Sequence, residues 1–364
     1  MSDEIVFTIA LSMIAGINDV DKKRILELYG SAVQVFKEHQ KQQNGFSELN
    51  LFYKNILMDA WPLKEAEAEF NFITKHQIKC ISVLDSNYPN RLVQCKDAPL
   101  LLYVKGSDQF NLPQLISIVG TRQPTVQVAK VVQELMEGLA HLKIGIVSGL
   151  ALGVDGIVHQ TALKMNLPTW GVLAHGLDKI YPNEHRKLAI EMIQQGGLLT
   201  ECKKSTVPLP YFFPKRNRIV AGMSDATVVI ETAIKGGSMI TASLAFDYNR
   251  EVFAVPGKIY DPKSKGCLHL IKYNKAHVYH DPSFLLENMN WPIPDLPIIE
   301  KQLKLLLDPE LQRVLLYIEM QGPVHRDTLA NQLKINASML SSYLLSLEIQ
   351  GHIHLMAGNL YCKL

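Results

Sequence analysis

The chain has 364 residues, of which 47% are hydrophobic and 20% charged, and its formal net charge is +2. This length predicts two or three domains, and the composition is that of a soluble globular protein with apolar cores. No apolar run is long enough to span a bilayer, the start of the chain is acidic, and the five cysteines form no C-x-x-C pair. We therefore expect a cytoplasmic protein without a membrane segment, a disulfide frame or a zinc site.

The positive charge is concentrated in the middle of the chain. Residues 1–75 carry 8 Lys and Arg against 11 Asp and Glu, whereas residues 76–304 carry 25 against 19 and residues 305–364 carry 4 against 5. If the protein binds nucleic acid, the middle region is where we expect the interface.

Residues 1–75 predict a small helical domain of the SAM or helix-hairpin-helix type. Amphipathic patterns predict helices over residues 5–14 and 21–28, with Gly16 and Gly30 as breaks. A helix-hairpin-helix binds phosphates through a glycine-rich turn, but the turn at residues 15–20 has one glycine and acidic neighbours. The pattern favours a structural or protein-contact role for this domain.

Residues 76–285 alternate between short apolar strands and helices. Such alternation predicts an α/β domain with a mostly parallel sheet covered on both faces, whose ligand site lies beyond the carboxyl ends of the strands. The predicted strands are residues 80–84, 101–104, 115–119, 145–148, 169–174, 198–201, 226–231, 251–255 and 277–279. The predicted helices are residues 126–141, 155–165, 184–195, 215–223, 238–248 and 266–273.

A proline-rich stretch, residues 286–309, predicts a linker to a last domain at residues 310–364. That domain has predicted helices at residues 311–319, 326–333 and 337–349, then a hairpin at residues 353–356 and 360–363 around the turn 357–359. This is the element order of a winged helix. Its third helix contains no Lys or Arg, which favours a protein contact over DNA reading.

Three glycine-bearing loops of the middle domain each follow a strand and precede a helix. Backbone N–H groups at a helix N-terminus attract anions, and glycine allows close approach of a ligand. We therefore interpret these loops as candidate phosphate cradles, with Arg122 as an additional phosphate or base contact. Their candidate binding residues are Gly120, Thr121, Arg122, Ser148, Gly149, Gly237, Ser238 and Thr241.

A basic aromatic segment, residues 211–218, lies between the second and third loops and reads Tyr-Phe-Phe-Pro-Lys-Arg-Asn-Arg. No acidic residue occurs between Glu201 and Asp225. Cations pair with phosphates and aromatic faces stack bases, so the segment suits a polyanion. The alternative interpretation is a solvated basic face beside buried aromatic residues.

Catalytic and cofactor motifs have weak support. The glycines of the second loop lie at 149, 153 and 156, which is not G-x-G-x-x-G, and no G-x-x-x-x-G-K-[ST] occurs. Asp155 and His159 have i, i+4 spacing that suits a dyad or two metal ligands, but no third ligand has convincing spacing. We interpret Asp155 as a helix cap and His159 as a packed side chain, and we expect no metal, no cofactor and no catalytic residue.

Six blocks in order resemble the DNA-processing protein A family, also called DprA or Smf. They are residues 118–122, 148–155, 176–182, 213–222, 237–242 and 252–257, and the resemblance covers residues 80–280 most strongly. The resemblance implies an extended Rossmann-like domain that binds single-stranded DNA, flanked by a helical and a winged-helix-like domain. It further implies a non-enzymatic homodimer that protects incoming DNA in natural transformation, within the competence and recombination machinery, and loads a RecA-type recombinase.

The resemblance also implies roles for particular residues. Arg122 matches a DNA-contacting arginine, although Thr121 replaces the family's serine. Lys215, Arg216, Asn217 and Arg218 match the basic binding motif, and Ser238 and Thr241 match polar positions of the third loop. Leu152 and Leu268 stand where many members have Arg and Asn, so we leave these positions out of the predicted site.

Two other functions stay open from the residues alone. The first is an enzyme acting on a nucleotide or another small phosphorylated ligand at the glycine-rich loops, with Glu231 as its acidic residue. The second is a scaffold in which the last domain recruits partners and DNA binding is incidental.

Overall fold

The computed structural model describes residues 2–41, 49, 51–59, 61–293, 308–356 and 358–363. The chain divides into two compact units, residues 1–293 and residues 294–364. In the described ranges, no helix is both long enough and apolar enough to cross a bilayer.

The first unit begins with five helices. They are α1 (Ser2–Met13), α2 (Asp19–Tyr29), α3 (Ala32–Gln40), α4 (Leu51–Met58) and α5 (Leu63–Lys75). The two helices predicted here are confirmed as α1 and α2, and Gly30 ends α2 with a positive φ of 76°. Buried side chains of α1, such as Ile9 and Leu11, share one apolar cluster with sheet residues such as Leu102. These helices thus pack onto the sheet within one compact unit.

A nine-stranded sheet forms the centre of this unit, and each strand lies within two residues of its predicted bounds. The order is β1-β2-β6-β5-β4-β3-β7-β8-β9; the pairs β1–β2 and β2–β6 are antiparallel and the others are parallel. The strands are β1 (Lys79–Ser82), β2 (Leu101–Gly106), β3 (Gln114–Gly120), β4 (Ile144–Ser148), β5 (Thr169–Val172), β6 (Gly197–Thr200), β7 (Ala226–Ile230), β8 (Glu251–Ala254) and β9 (His277–Val278). The predicted mostly parallel α/β sheet is confirmed.

Helices cover both faces of the sheet. They are α6 (Asn90–Val93), α7 (Gln127–Leu139), α8 (Val154–Lys164), α9 (Arg186–Gln195), α10 (Phe212–Gly222), α11 (Gly237–Asp247), α12 (Lys265–Lys272) and α13 (Pro282–Asn288), and a 3₁₀ turn (Asn183–His185) precedes α9. Alternate residues of β3 contribute to two different cores: Leu115 and Val119 contact the cluster of α10 and α11, whereas Ile116 and Ile118 contact that of α7 and α8. This period of two is what a strand buried on both faces requires.

The strand order fixes the position of the ligand site. After β3 the chain builds β4, β5 and β6 on one side, and then crosses over to place β7 on the other side of β3. Helix α7, which follows β3, and helix α11, which follows β7, pack on opposite faces of the sheet. The loops after β3 and β7 therefore diverge and leave a crevice at the carboxyl edge, where such sheets bind their ligands.

The second unit has its own core. Its elements are α14 (Pro309–Gln321), β10 (Val324–His325), α15 (Arg326–Leu333), α16 (Ala337–Ile349), β11 (Ile353–Met356) and β12 (Leu360–Lys363). The short strands pair in the order β10-β12-β11. The predicted winged helix is confirmed, with β10 as an additional strand. Ala357 of the predicted turn and residues 294–307 of the predicted linker lie outside the described residues, and residues 286–288 of that linker end α13.

Candidate nucleic-acid interface

A cavity of about 320 Å³ opens at the carboxyl edge of β3, β4 and β7. The predicted residues that line it are Gly120, Thr121, Arg122, Gly149, Arg216, Asn217, Gly237, Ser238 and Thr241. Residues that prediction did not select also line it, namely Val119, Ala151, Asp155, Phe213, Val220, Thr232, Ala233 and Gly236. The three glycine-bearing loops and helix α10 thus meet at one place.

The first loop brings the backbone close to the cavity and presents one arginine to solvent. A Cβ on Gly120 would overlap the Ile230 carbonyl oxygen and the Val154 side chain, so this position requires glycine. Arg122 is exposed, and its guanidinium carbon lies 5.2 Å from the centre of the Phe213 ring. At this distance the cation interacts with the aromatic face while its N–H groups stay available to a phosphate.

The polar side chains of the second loop bond to backbone groups of the protein and stabilise the loop. Ser148 is fully buried and its Oγ donates a hydrogen bond of 2.7 Å to the Ile118 carbonyl, so it does not reach the cavity. Gly153 has a φ of 84°, a conformation that favours glycine. The carboxylate of Asp155 accepts hydrogen bonds of 3.2 Å from the Gly149 and Ala151 amides and so closes the loop. The N-cap residue of α8 is Gly153, which has no side-chain cap bond, so the predicted helix-capping role of Asp155 is wrong: its carboxylate holds the preceding loop instead.

The third loop leads into the N-terminus of α11. The first N–H groups of a helix have no acceptor within the helix, and the first two of α11 belong to Gly237 and Ser238, which line the cavity. A Cβ on Gly237 would meet no atom within 4 Å, so the space beside this backbone is open. Ser238 Oγ donates to Thr232 Oγ1 at 2.7 Å, and Thr241 is buried. The anion-binding potential of this loop therefore lies in its backbone amides.

Helix α10 divides the predicted basic motif between two faces. Phe213, Arg216, Asn217 and Val220 line the cavity, which is the i, i+3, i+4, i+7 spacing of one helical face. Arg216 is buried; its Nη1 donates to the Gly149 carbonyl at 2.5 Å and to the Val172 carbonyl, and its Nε donates to Asn217 Oδ1 at 3.2 Å. Arg216 thus forms part of the cavity wall and fastens it to β5.

Burial shifts the ionisation of the charged pair in this wall. Burial lowers the pKa of the Arg216 guanidinium to about 10, while the negative charge of Asp155 opposes the shift and the positive charge of Arg122 adds to it. Burial likewise raises the pKa of the Asp155 carboxyl, against the effect of Arg216. At neutral pH the arginine stays cationic, so the carboxylate inside the cavity wall is compensated.

The other face of α10 carries an ion-pair cluster that we define as Asp19, Glu201, Lys215 and Arg218. Lys215 Nζ lies 3.1 Å from Asp19 Oδ2 and 3.2 Å from Glu201 Oε2. Arg218 Nη2 lies 2.9 Å from Asp19 Oδ2 and also contacts Glu201, and its Nη1 donates to the Asp97 carbonyl. The arginine side chain is only 7% exposed. These ion pairs link the start of α2 to α10 and to the residue that follows β6.

The prediction that Lys215 and Arg218 contact DNA stays a prediction. Neither residue lines the cavity, and both already have carboxylate partners, so a phosphate would have to compete with those carboxylates. The sequence around Lys215 and Arg218 contains no acidic residue. It therefore predicted that these cations are unpaired and available to a polyanion. The partners come from residues far along the chain, which the local pattern does not show.

His159 and Glu231, which the sequence offered for catalysis, have other partners. His159 is fully buried and shares a hydrogen bond of 2.7 Å with Thr169 Oγ1. The carboxylate of Glu231 accepts from the Thr125 amide at 2.9 Å and from the Thr125 hydroxyl, and Glu231 does not line the cavity. In the ranges that the structure covers, no group of three or more His, Cys, Asp and Glu side chains is arranged to hold a metal ion.

Comparison with known protein families agrees with the α/β sheet and the winged helix described above. The model of the family "DNA recombination-mediator protein A" matches residues 79–290, and that of the "DprA winged helix domain" matches residues 300–359. Protein Smf of Escherichia coli is 35% identical over 239 residues, which are 65% of this chain and 64% of that protein. The DNA processing protein DprA of Bacillus subtilis is 40% identical over 203 residues, 56% of this chain and 68% of that protein.

Two solved structures are similar to this one. The X-ray structure of DNA processing protein A from Streptococcus pneumoniae matches with a TM-score of 0.67 and 30% identity, covering 78% of this chain and 97% of that chain. A structure of DNA processing protein A from Helicobacter pylori matches with a TM-score of 0.53 and 31% identity, covering 59% of this chain and 96% of that chain, and its description concerns a single-stranded DNA binding mode. The sheet, its glycine-bearing loops and the matched family model lead to one conclusion: this chain belongs to the DNA recombination-mediator protein A (DprA/Smf) family.

Proposed function

We propose that this protein binds single-stranded DNA at the carboxyl edge of its nine-stranded sheet. The observation that carries the proposal is the cavity, in which three loop backbones, Arg122 and Arg216 converge. Asp155 is the one acidic residue among its lining residues, and it lies beside the Arg216 guanidinium. A phosphate entering this cavity meets net positive potential and helix N-termini.

The exposed rim favours a polymer over a small molecule. Arg122 lies 5.2 Å from the centre of the Phe213 ring, and Tyr181 contacts the same ring edge-on with centroids 6.1 Å apart. Leu152, which replaces an arginine of many family members, is 42% exposed and lies with Arg122 and Phe213 around a small neighbouring cleft. Cations and aromatic faces in alternation are typical of surfaces that follow a single strand.

The biological role that we propose follows the family. The protein would protect incoming single strands during natural transformation and hand them to a RecA-type recombinase, acting in the cytoplasm as a homodimer without a catalytic step of its own. The H. pylori relative's single-stranded DNA binding mode supports only the binding of single strands on which this role depends. The recombinase, the dimer and the lack of catalysis rest on the family resemblance.

Charge reversal of Arg122 tests the proposal. We expect Arg122→Glu to weaken binding of a labelled oligothymidylate at least tenfold with an unchanged melting temperature, because the variant removes a cation and adds an anion at the cavity rim. Arg24→Glu is the matched control, since the Arg24 side chain is 76% exposed on α2 and does not line the cavity. Equal affinity of wild type and Arg122→Glu would refute the proposed site.

The salt dependence of binding provides a second measurement. Each phosphate neutralised on a single strand contributes a slope of about −0.7 to a plot of log affinity against log salt concentration. We expect a steep negative slope for the wild type that becomes shallower by about one phosphate in Arg122→Glu. An affinity that does not change with salt would contradict a phosphate-dominated interface.

The alternative of a nucleotide-processing enzyme has less support. It depended on Glu231, whose carboxylate is held by Thr125 outside the cavity. Incubation with nucleoside monophosphates should therefore give no turnover, and the thermal shift should be larger with an oligonucleotide than with a mononucleotide. Removal of residues 294–364, which form a separate compact unit, should leave single-strand binding intact and so argue against a pure scaffold.

A further inference from the structure

A second basic and apolar surface lies at the carboxyl edge of the sheet, on the segment between β8 and α12, the first residue of α12 and the loop before α11. We define this surface as Lys235, Lys258, Ile259, Tyr260, Lys263 and Lys265. Tyr260 is 92% exposed and Ile259 is 73% exposed. In the part of the chain that the structure describes, none of the four lysines forms an ion pair. Ile259 and Tyr260 are thus neighbouring exposed apolar side chains with lysines before and after them in the chain, and an exposed apolar patch with a polar rim marks an interaction site.

The acidic residue within this segment, Asp261, bonds to other groups of the same segment. Asp261 Oδ1 accepts from the Lys263 amide at 3.0 Å, and Asp261 Oδ2 lies 3.5 Å from Ser264 Oγ. The Asp261 amide donates to the Lys258 carbonyl at 3.0 Å, and the Ser264 amide donates to the Asp261 carbonyl at 3.0 Å. These bonds fix a tight turn that holds Ile259 and Tyr260 at its outer side. The carboxylate thus shapes the segment and does not compensate its lysines.

The segment is joined to the lining of the proposed DNA cavity at Thr232, which is buried. Thr232 lines the cavity, and its carbonyl accepts a hydrogen bond of 2.8 Å from the Gly266 amide in the first turn of α12. A Cβ on Gly266 would lie 2.6 Å from the Thr232 carbonyl oxygen, so the two backbones are in close contact. Lys235 belongs to the loop that also carries the cavity residues Gly236 and Gly237. A chain leaving the cavity past this loop therefore reaches Lys265 and Lys258.

We propose that a single strand longer than the cavity continues over this segment, with its phosphates on Lys235, Lys258 and Lys265 and one base stacked on Tyr260. The inference rests on the proposed function and extends the binding surface beyond the cavity. We call the cavity together with this segment the track. Two observations carry it: the exposed Ile259 and Tyr260 with unpaired lysines on both sides in the chain, and the backbone contact at Thr232. The ligand is the sugar–phosphate backbone of single-stranded DNA, and base identity plays little part because every base has a face to stack.

Length dependence separates the track from the cavity. Oligothymidylates of about 4 to about 16 nucleotides would be titrated with wild type, with Lys258→Glu/Lys265→Glu and with Tyr260→Ala. We expect both variants to bind the shortest oligomer like the wild type and to bind the longest one roughly tenfold more weakly. Lys64→Glu/Lys75→Glu on α5 is the matched control, because both lysines are exposed and α5 packs beside β1. This strand is outermost on the side of the sheet opposite to β8 and β9.

The outcomes are distinguishable. If the wild type binds no oligomer, the proposed function itself fails. If the wild type binds and the segment variants match it at every length, or lose affinity equally at every length, the track is refuted while the cavity stands. A lower affinity that accompanies a changed molar mass in solution would assign the segment to contacts between copies of the protein and would also overturn the track.

Discussion

Replacement of Arg218 by methionine tests whether this arginine of α10 stabilises the fold or contacts DNA. Its guanidinium contacts Asp19, Glu201 and the Asp97 carbonyl, and the Glu201 side chain is itself only 10% exposed. In Arg218→Met these acceptors lose a cationic donor, and the buried carboxylate keeps only Lys215, whose side chain is 46% exposed. The variant therefore leaves a buried charge poorly compensated.

The expected loss of stability follows from these contacts. Removing one partner of a buried ion pair destabilises a protein by about 3–5 kcal/mol. Because Lys215 continues to neutralise part of the charge, we expect the lower end, about 3 kcal/mol. Lys215→Met is the comparison, since the partly exposed ammonium group should contribute no more than about 1 kcal/mol.

The assay combines urea unfolding with oligonucleotide binding. Arg218→Met should lower the midpoint of the first unit's unfolding transition, whereas its affinity for oligothymidylate should stay within about twofold under native conditions. The reasoning is refuted if the variant unfolds like the wild type and its affinity falls tenfold or more. That result would make Arg218 a DNA contact, as the basic motif of the sequence predicts.

Three further predictions concern a buried histidine, a glycine of the second loop and two cysteines. Burial lowers the pKa of His159 from 6.5 to about 3, so the unfolded chain binds a proton that the folded chain does not. Stability should therefore fall by about 1.4 kcal/mol per pH unit between about pH 6 and pH 4, and His159→Asn should show a shallower fall in denaturation measured across this range. Gly153→Ala, whose new Cβ would overlap the Thr121 carbonyl oxygen at a φ of 84°, should destabilise the protein by about 1–3 kcal/mol; an unchanged melting curve would contradict this. Burial raises the pKa of the Cys80 and Cys267 thiols to about 12, so a thiol reagent at pH 8 should modify them in urea but only slowly in the native protein, as mass spectrometry would show.

The elements and loops of this protein could be predicted from its sequence. Short apolar runs between helical patterns are enough to locate the central strands, because a strand buried on both faces must be apolar throughout; the outermost strands β1 and β9 are more exposed. The positive φ of Gly153 is a local constraint, whereas the close approach at Gly120 involves the Ile230 carbonyl and the Val154 side chain of other elements. Helix α10 begins at Phe212, whereas the sequence interpretation began it at residue 215. With the earlier start, the spacing of Phe213, Arg216 and Asn217 would have indicated one face.

What the cations of α10 contact was decided only by the tertiary structure. Lys215 and Arg218 have the same sequence signal as Arg216, yet their partners Asp19 and Glu201 come from a distant helix and from the end of β6. The strand order that crosses β7 over to β3 is also invisible in any local pattern, although it creates the crevice. Composition and periodicity report the environment of each residue along its own element. Which two elements meet depends on long-range packing, and a charged side chain binds DNA or stabilises the fold according to the carboxylate that this packing brings within reach.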